Sequence, residues 1–360
     1  MRLLIDHGGR PSPGGSLGEP GFPTLLLTPD PGNARGVYAG TLSSNVVDDP
    51  PAVMVFARVA AHPPSWMRRP DPDDTQGEVM TAPRAFVLGH PIAHSRSPML
   101  HGYWLERYGI AGSYEPVDVA PADLGAFFGS FRETGWTGGN VTVPHKLAVI
   151  EHLDRIDEAA AKLGAVNTIW WEDGRLVGGN TDWTGFLGNL DELAPGWDRD
   201  AERAVVLGAG GAARAAAYAL GERGLSVALC NRTASTAEEL AAHFGGGMTG
   251  HPMDAVAGLL AEADLLVNTT SLGMLGKPPL DVDLSSLKPG ATVYDVVYVP
   301  LETGLLKAAR ARGHRTVDGL GMLLHQAVDG FRHWFGQTPE VTRELRSLLI
   351  DDIRAKTPGA

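Results

Sequence analysis

The order of hydrophobic and polar positions predicts a regular alternation of strands and helices from Arg84 onward. The runs RAFVLG, SYEPVDV and WTGGNVTVP have the length of short strands, and helical patterns such as PMLHGYWLERYG and ADLGAFFGSFRETG separate them. Strands that alternate with helices favour a parallel-rich α/β layer. We therefore expect the first half of this region to form one α/β sheet.

A second series of strands starts at Arg203. Its runs are AVVLGAG, LSVALCNRT, DLLVNTT, TVYDVVY and RTVDG, and Ala-rich or Leu-containing helices separate them. This order predicts a doubly wound sheet. A last helix begins near Leu320 and has apolar residues at helical spacing, so one side of it is expected to be buried. These apolar residues are Leu320, Leu324, Ala327, Phe331 and Trp334.

The first 79 residues differ in character from the rest. They are rich in Pro, Gly and Asp and show no sustained period of 2 or 3.6 residues. We expect residues 1–79 to be a disordered extension, or one that does not belong to the natural chain, which would then start at Met80. The alternative is a genuine flexible extension or a small structured module.

The predicted fold class is thus α/β with two domains. Residues 80–184 and 320–355 are expected to form the N-terminal α/β domain, and residues 185–319 the second, Rossmann-like domain. The C-terminal helix is expected to pack back on the first domain.

Composition and charge exclude several classes of protein. The 360 residues are 43% hydrophobic, which suffices for two cores, and the net charge of −12 argues against nucleic acid as a partner. The single cysteine, Cys230, forms neither an internal disulfide nor a thiolate metal cluster, which suits a reducing compartment. No apolar run approaches the roughly 20 residues that cross a bilayer. We expect a soluble cytoplasmic protein that binds no membrane.

The glycine-rich turn of the second series predicts a nucleotide site. Gly208, Ala209, Gly210, Gly211 and Ala212 stand between a β-branched strand and an alanine-rich helix. In that context the glycines allow a tight turn and a close approach of backbone to a pyrophosphate, and the helix N-terminus supplies N–H groups. The alternative is a turn with a purely structural role.

The end of the next strand bears on the choice of dinucleotide. An acidic residue is usual at this position in NAD sites, whereas this chain has Asn231, Arg232 and Thr233. Arg232 can pair with a 2′-phosphate, and its neighbours can donate hydrogen bonds. We therefore expect NADP, while a solvated surface arginine remains the alternative.

Polar residues gather in four short segments of the first domain. Ser95 and Ser97 of HSRSP can converge on a carboxylate, or serve as helix caps. Lys146 of GNVTVPHK follows a strand end and can transfer a proton if a carboxylate is near, although a solvated lysine is the alternative. Asp182 of GNTD lies at the domain junction, and Asn167 of GAVNT suits hydroxyl recognition. Taken alone, Asp182 is better explained by an Asx-turn or a helix cap, and the alternative for Asn167 is a simple turn asparagine.

The histidines give no metal site. His90, His94, His101 and His145 are close in sequence but lack the paired spacing and acidic company of metal ligands. We expect no bound metal, and interpret these histidines as surface or capping residues.

These motifs, taken in order, resemble the shikimate dehydrogenase family. HSRSP, GNVTVPHK, GAVNT, GNTD, GAGGAAR, NRT, YDVVY and DGLGMLLHQA follow one another at roughly the family's spacing from about Arg84 to the final helix. The resemblance implies reversible NADPH-dependent reduction of 3-dehydroshikimate to shikimate, in the chorismate pathway to aromatic amino acids. The first domain would bind the substrate and the Rossmann-like domain the NADP.

The resemblance also implies residue roles. Lys146 and Asp182 would form the proton-transfer pair, and Asp182 would also contact the substrate. The remaining substrate-side residues would hold the carboxylate (Ser95, Ser97 and Tyr298), contact ring hydroxyls or nearby polar atoms (Thr142, Asn167 and Gln326) or brace a strand end (Asn140). On the cofactor side, Gly208 to Ala212 would bind the pyrophosphate, Asn231 to Thr233 the 2′-phosphate, and Val296 and Gly319 would flank the nicotinamide; Glu158 matches a cofactor-side position.

Two departures and two rivals qualify this interpretation. The chain lacks the second basic residue that many members have after NRT, which weakens the expected NADP preference, and the family pattern lacks residues 1–79.

An NAD-dependent quinate/shikimate dehydrogenase is the rival enzyme; Ser97 and Arg232 argue against it, since quinate-active relatives often have threonine at the Ser97 position. A nucleotide-binding sensor without catalysis is the rival of another class. The sequence leaves open whether the chain forms a homodimer.

Overall fold

The computed structural model describes residues 26–29, 38–41 and 82–357. The chain divides into two units, Met1–Val79 and Met80–Ala360. In the first unit, strand β1 (Leu26–Pro29) pairs antiparallel with β2 (Tyr38–Thr41). Apart from this pair, the expectation of disorder in residues 1–79 lies outside the described residues.

The second unit begins with a six-stranded mixed sheet. Its strands are β3 (Arg84–Gly89), β4 (Ser113–Asp118), β5 (Trp136–Val141), β6 (Arg155–Ile156), β7 (Thr168–Glu172) and β8 (Arg175–Gly179), in the order β4-β3-β5-β7-β8-β6. Its α-helices are α1 (Ser97–Arg107), α2 (Leu124–Gly129) and α3 (Glu158–Leu163). The three strands predicted here are confirmed as β3, β4 and β5, which are parallel to one another.

The second half of this sheet was not predicted. Strand β7 runs antiparallel to both β5 and β8, and β6 closes the edge parallel to β8. Asp173 and Gly174 join β7 to β8, both with positive φ, as a two-residue hairpin turn requires. After GNVTVPHK the chain makes a series of turns and then a 3-10 helix, Ala148–His152.

Helix α4 (Asp182–Leu193) leads into the second sheet, which is entirely parallel. Its strands are β9 (Arg203–Leu207), β10 (Ser226–Asn231), β11 (Met248–Pro252), β12 (Leu265–Asn268), β13 (Thr292–Asp295) and β14 (Arg315–Val317), in the order β11-β10-β9-β12-β13-β14. The connecting helices are α5 (Gly211–Glu222), α6 (Ala234–Phe244), α7 (Val256–Leu259) and α8 (Gly304–Ala311). Because β10 and β12 flank β9, the strand order reverses beside β9, which is where doubly wound sheets bind ligands.

Two helices end the chain and return to the first sheet. Helix α9 (Leu320–Phe335) buries the apolar residues that were predicted to lie on its inner side. The prediction that this is the last helix is wrong, because α10 (Arg343–Lys356) follows it. Both helices share a core with β3 and α1, which confirms the return of the C-terminal segment; this core includes Ala85, Val87, Leu100, Trp104, Leu324, Phe331, Trp334, Leu345, Leu349 and Ile353. Among the described residues, no helix combines the length and apolarity that crossing a bilayer requires.

Candidate active site

A cleft of about 340 Å³ collects residues from both halves of the second unit. Its walls contain all the substrate-side residues predicted from the sequence: Ser95, Ser97, Thr142, Lys146, Asn167, Asp182, Tyr298 and Gln326. They also contain Asn140 and the two residues expected at the nicotinamide, Val296 and Gly319. Residues separated by more than 200 positions in sequence thus face one cavity.

Lys146 and Asp182 form an ion pair in this cleft. Lys146 Nζ donates to Asp182 Oδ2 at 2.5 Å, and the two side chains are 22% and 15% exposed. The backbone beside Lys146 is fixed, because Val166 N–H donates to the Lys146 carbonyl and the buried His145 ring bonds to the Val119 carbonyl. The solvated lysine considered from the sequence is therefore not what the structure contains.

Asn167 holds the other oxygen of Asp182. The Asn167 amide Nδ2 donates to Asp182 Oδ1 at 2.8 Å, and its Oδ1 accepts from Thr181 N–H at 2.8 Å. The Asx-turn considered for Asp182 belongs to Asn180, whose Oδ1 accepts the Asp182 N–H at 3.0 Å. Asp182 is therefore left with both carboxylate oxygens directed to Lys146 and Asn167.

A second, buried layer supports Asn167. Asn140 Nδ2 donates to the Asn167 carbonyl at 3.2 Å, and Tyr114 Oη donates to Asn140 Oδ1 at 2.6 Å. Tyr114 in turn stacks on the fully buried ring of His101, with 3.9 Å between ring centroids. Burial lowers the pKa of His101 to about 3 and raises the pKa of Tyr114 well above its usual value. Both groups are therefore neutral at physiological pH.

Ser95 and Ser97 stand where the loop after β3 enters α1. Ser95 Oγ accepts the Ser97 N–H at 3.3 Å, and neither serine is the N-cap residue, since Arg96 occupies that position. Ser97 therefore does not cap α1, whereas Ser95 accepts the N–H of the first helical residue from the position before the N-cap.

Tyr298 lies on the loop after β13, which a buried carboxylate fixes. Asp295 accepts hydrogen bonds from Asn268 Nδ2 at 2.8 Å, Thr303 Oγ1 at 2.6 Å and the Val297 N–H at 3.1 Å. Burial raises the pKa of Asp295 despite these donors. Sequence reasoning missed this network, although Asp295 stands inside the YDVVY motif.

The glycine-rich turn fits a pyrophosphate. Gly208 has a φ of +109°, and a Cβ there would stand 2.6 Å from Thr269 Oγ1. A Cβ on Gly210 or Gly211 would meet nothing within 4 Å, and no described side chain caps the N-terminus of α5. Open space above free N–H groups is what an approaching phosphate needs.

Asn231, Arg232 and Thr233 come next to this turn at the end of β10. The Gly208 N–H donates to the Cys230 carbonyl at 2.7 Å, which ties the two segments together. Asn231 Nδ2 donates to the Thr233 carbonyl, while Arg232 is exposed and pairs with no carboxylate in the described part of the chain. Glu158, at the start of α3, is exposed and pairs with Lys162 instead of lining the cleft.

The interpretation of the histidines is wrong for two of the four. His90 and His94 are exposed, but His101 and His145 are buried, because His101 lies on the inward side of α1 and His145 turns under the loop that carries Lys146. Within residues 82–357, no group of three or more His, Cys, Asp or Glu side chains is arranged to hold a metal ion.

Family models match three parts of the chain. The model of the shikimate dehydrogenase substrate binding domain matches residues 87–169, and the shikimate / quinate 5-dehydrogenase model matches residues 194–274. The model of the shikimate 5'-dehydrogenase C-terminal domain matches residues 319–343.

Curated relatives match over most of their length. The shikimate dehydrogenase (NADP(+)) of Azorhizobium caulinodans is 58% identical over 274 residues, which cover 76% of this chain and 98% of the relative. The protein of the same name from Mesorhizobium japonicum is 57% identical over the same shares of the two chains.

Solved structures have the same fold. Shikimate 5-dehydrogenase from Thermus thermophilus, in complex with NADP(H) and shikimate, is 38% identical with a TM-score of 0.67, over 76% of this chain and all of its own. Quinate dehydrogenase from Corynebacterium glutamicum, in complex with NAD, is 35% identical with a TM-score of 0.69, over 74% of this chain and 99% of its own. With relatives this similar over nearly their whole length, the chain belongs to the shikimate dehydrogenase family.

Proposed function

We propose that this protein is a shikimate dehydrogenase that catalyses the reversible NADPH-dependent reduction of 3-dehydroshikimate to shikimate. The observation that carries the proposal is the Lys146–Asp182 ion pair in a cleft that also holds Val296 and Gly319. We further propose that the reaction takes place in the cytoplasm, as a step of the chorismate pathway to aromatic amino acids.

In this proposal one domain binds the substrate and the other binds the cofactor. Residues 80–184 with 320–355 bind the substrate, and residues 185–319 bind NADP. The proposed boundary falls inside α4, whose first residue, Asp182, still belongs to the substrate-binding domain.

NADPH, when bound, supplies a hydride from C4 of its nicotinamide. The Gly208 to Ala212 turn holds the pyrophosphate through backbone N–H groups, and Val296 and Gly319 stand at the nicotinamide end. Arg232, with Asn231 and Thr233, binds the 2′-phosphate, because its guanidinium is exposed and free of a described carboxylate partner.

Lys146 acts as the general acid and base at the reacting oxygen. In the reducing direction Lys146 Nζ would donate a proton to the C3 ketone oxygen as that oxygen becomes a hydroxyl, and in the oxidising direction the pair would accept the proton of the C3 hydroxyl. Asp182 keeps the ammonium in place, and Asn167 fixes the carboxylate by its 2.8 Å bond to Oδ1.

The remaining wall of the cleft orients the ring. Ser95, Ser97 and Tyr298 bind the carboxylate through hydroxyl groups. Thr142, Asn167 and Gln326 face the ring hydroxyls; Gln326 Oε1 already accepts from Asn167 at 3.4 Å. A ring held at both ends presents one carbon to the cofactor.

Substitution of Lys146 tests the proposal. Lys146→Ala should lower kcat by a factor of roughly 10² to 10⁴, the usual contribution of a positioned acid or base, while NADP binding stays unchanged. Lys277→Ala removes an exposed lysine on the Rossmann-like side and should leave kcat unaltered. Near-normal turnover by Lys146→Ala would refute the role of the pair.

A further inference from the structure

One arginine of the cleft wall has its carboxylate partner outside the cleft. Among the described residues that line the cavity, only Arg96, Lys146 and Asp182 are ionised. Lys146 and Asp182 neutralise each other as a direct ion pair. Arg96 is therefore the one ionised group of the described wall whose counter-ion, Asp352, does not itself line the cavity, and the substrate in the proposed function is a carboxylate.

Arg96 stands among the three groups assigned to that carboxylate. It separates Ser95 from Ser97 in sequence, and its guanidinium lies 5.9 Å from the centroid of the Tyr298 ring. Its side chain is only 13% exposed. A charge this sheltered interacts more strongly with an anion than a surface charge does.

Asp352 of α10 holds one edge of the guanidinium. Arg96 Nε donates to Asp352 Oδ2 at 3.0 Å, and Lys356 pairs with Oδ1 of the same carboxylate at 2.7 Å. Burial alone would raise the pKa of Asp352, but Lys356 and Arg96 outweigh it and hold the pKa below its usual value. Asp352 is thus ionised and fixes the orientation of Arg96.

The other edge of the guanidinium is left for a ligand. Neither Nη1 nor Nη2 of Arg96 donates to a residue in the described part of the chain, so only the Nε donor is taken. A planar guanidinium with two parallel N–H groups matches a carboxylate.

We propose that Arg96, oriented by Asp352, binds the substrate carboxylate and makes the cleft selective for anionic ring acids over neutral analogues. Asp352 is then a positioning residue that the C-terminal helix contributes to the site. This inference rests on the proposed function. An Arg96–Asp352 pair that only ties α10 to α1 is the competing account, and it predicts no dependence on ligand charge.

The test compares an anionic with a neutral ligand of the same shape. The wild-type protein is first assayed with shikimate and NADP, since absence of this activity would reject the proposed function and not the role of Arg96. Then the KM for shikimate and the inhibition constant of its methyl ester are measured for Arg96→Gln. We expect the KM to rise about tenfold or more, as for a lost charge-assisted hydrogen bond, and the ester constant to change less than about twofold.

Two further variants complete the design. Asp352→Asn should raise the KM for shikimate severalfold with kcat nearly unchanged, because Arg96 keeps its charge and loses its orientation. Asp351→Asn, an exposed neighbour on α10, is the matched control and should behave as wild type. If Arg96→Gln does not fold, Arg96→Lys replaces it, with a smaller rise in KM and the same insensitivity of the ester. Equal losses for both ligands, or no loss for shikimate, would overturn the inference.

Discussion

His101 makes the stability of the fold depend on pH. Its ring is fully buried and stacked on Tyr114 and Phe331, and neither ring nitrogen has a hydrogen-bond partner of good geometry among the described residues. Burial lowers its pKa from 6.5 to about 3, so the folded protein keeps this ring neutral where the unfolded chain protonates it.

The direction and the size of the change in unfolding free energy with pH follow from this difference in pKa. The unfolded state binds a proton as the pH falls through 6.5 and the folded state does not, so the stabilisation is complete above pH 6.5 and is lost toward pH 3. Between pH 7 and pH 5 the loss is about 2 kcal/mol, because stability falls by about 1.36 kcal/mol for each pH unit below 6.5 while the folded state stays unprotonated.

Urea unfolding of the wild type and of His101→Phe at both pH values measures this loss. Phenylalanine keeps an aromatic ring between Tyr114 and Phe331 and cannot be protonated, and its own packing cost cancels because each protein is compared with itself. The wild type should lose about 2 kcal/mol more than the variant between pH 7 and pH 5. His94→Gln alters an exposed histidine and should retain the wild-type difference. Equal pH dependence of the wild type and His101→Phe would refute the reasoning.

Two further predictions concern the cofactor side. Arg232→Gln should raise the KM for NADP about tenfold or more and leave the KM for NAD unchanged, because only NADP carries the 2′-phosphate. Arg199→Gln alters another exposed arginine and serves as the control. Equal effects of Arg232→Gln on both cofactors would contradict this role. Gly319→Ala should lower the free energy of unfolding by about 1–3 kcal/mol and also reduce kcat, because its Cβ would overlap the Val296 carbonyl, whereas Gly304→Ala meets nothing within 4 Å. Thermal unfolding and initial rates measure both effects, and a Gly319→Ala protein as stable and active as Gly304→Ala would show that the overlap is relieved elsewhere.

The strands with apolar runs and the glycine-rich turn were predictable from local pattern. RAFVLG and AVVLG form buried strands β3 and β9, and Gly208 has the positive φ expected of its turn. The missed hairpin of β7 and β8 also had a local signal, since Asp-Gly between two apolar runs is the mark of a two-residue turn. Strand β11 had none, because MTGHP lies at the sheet edge with no buried residue.

Other features depend on contacts that sequence spacing does not reveal. The burial of His101 was readable as helical spacing, because Ser97, His101 and Trp104 share the inward side of α1. The Arg96–Asp352 pair joins residues 256 positions apart, and no pattern along the chain connects them. The ion pair of Lys146 and Asp182 was expected only through family resemblance, since each residue alone has a commoner explanation.

Initial rates of the purified protein with shikimate and with quinate, each with NADP and with NAD, test the central claim most directly. Absorbance of the reduced nicotinamide follows all four reactions. The account predicts that shikimate with NADP is the fastest combination by a wide margin. Quinate turnover with NAD as the dominant reaction would contradict it, and no turnover in any combination, with NADP still bound, would point to a sensor that has lost catalysis.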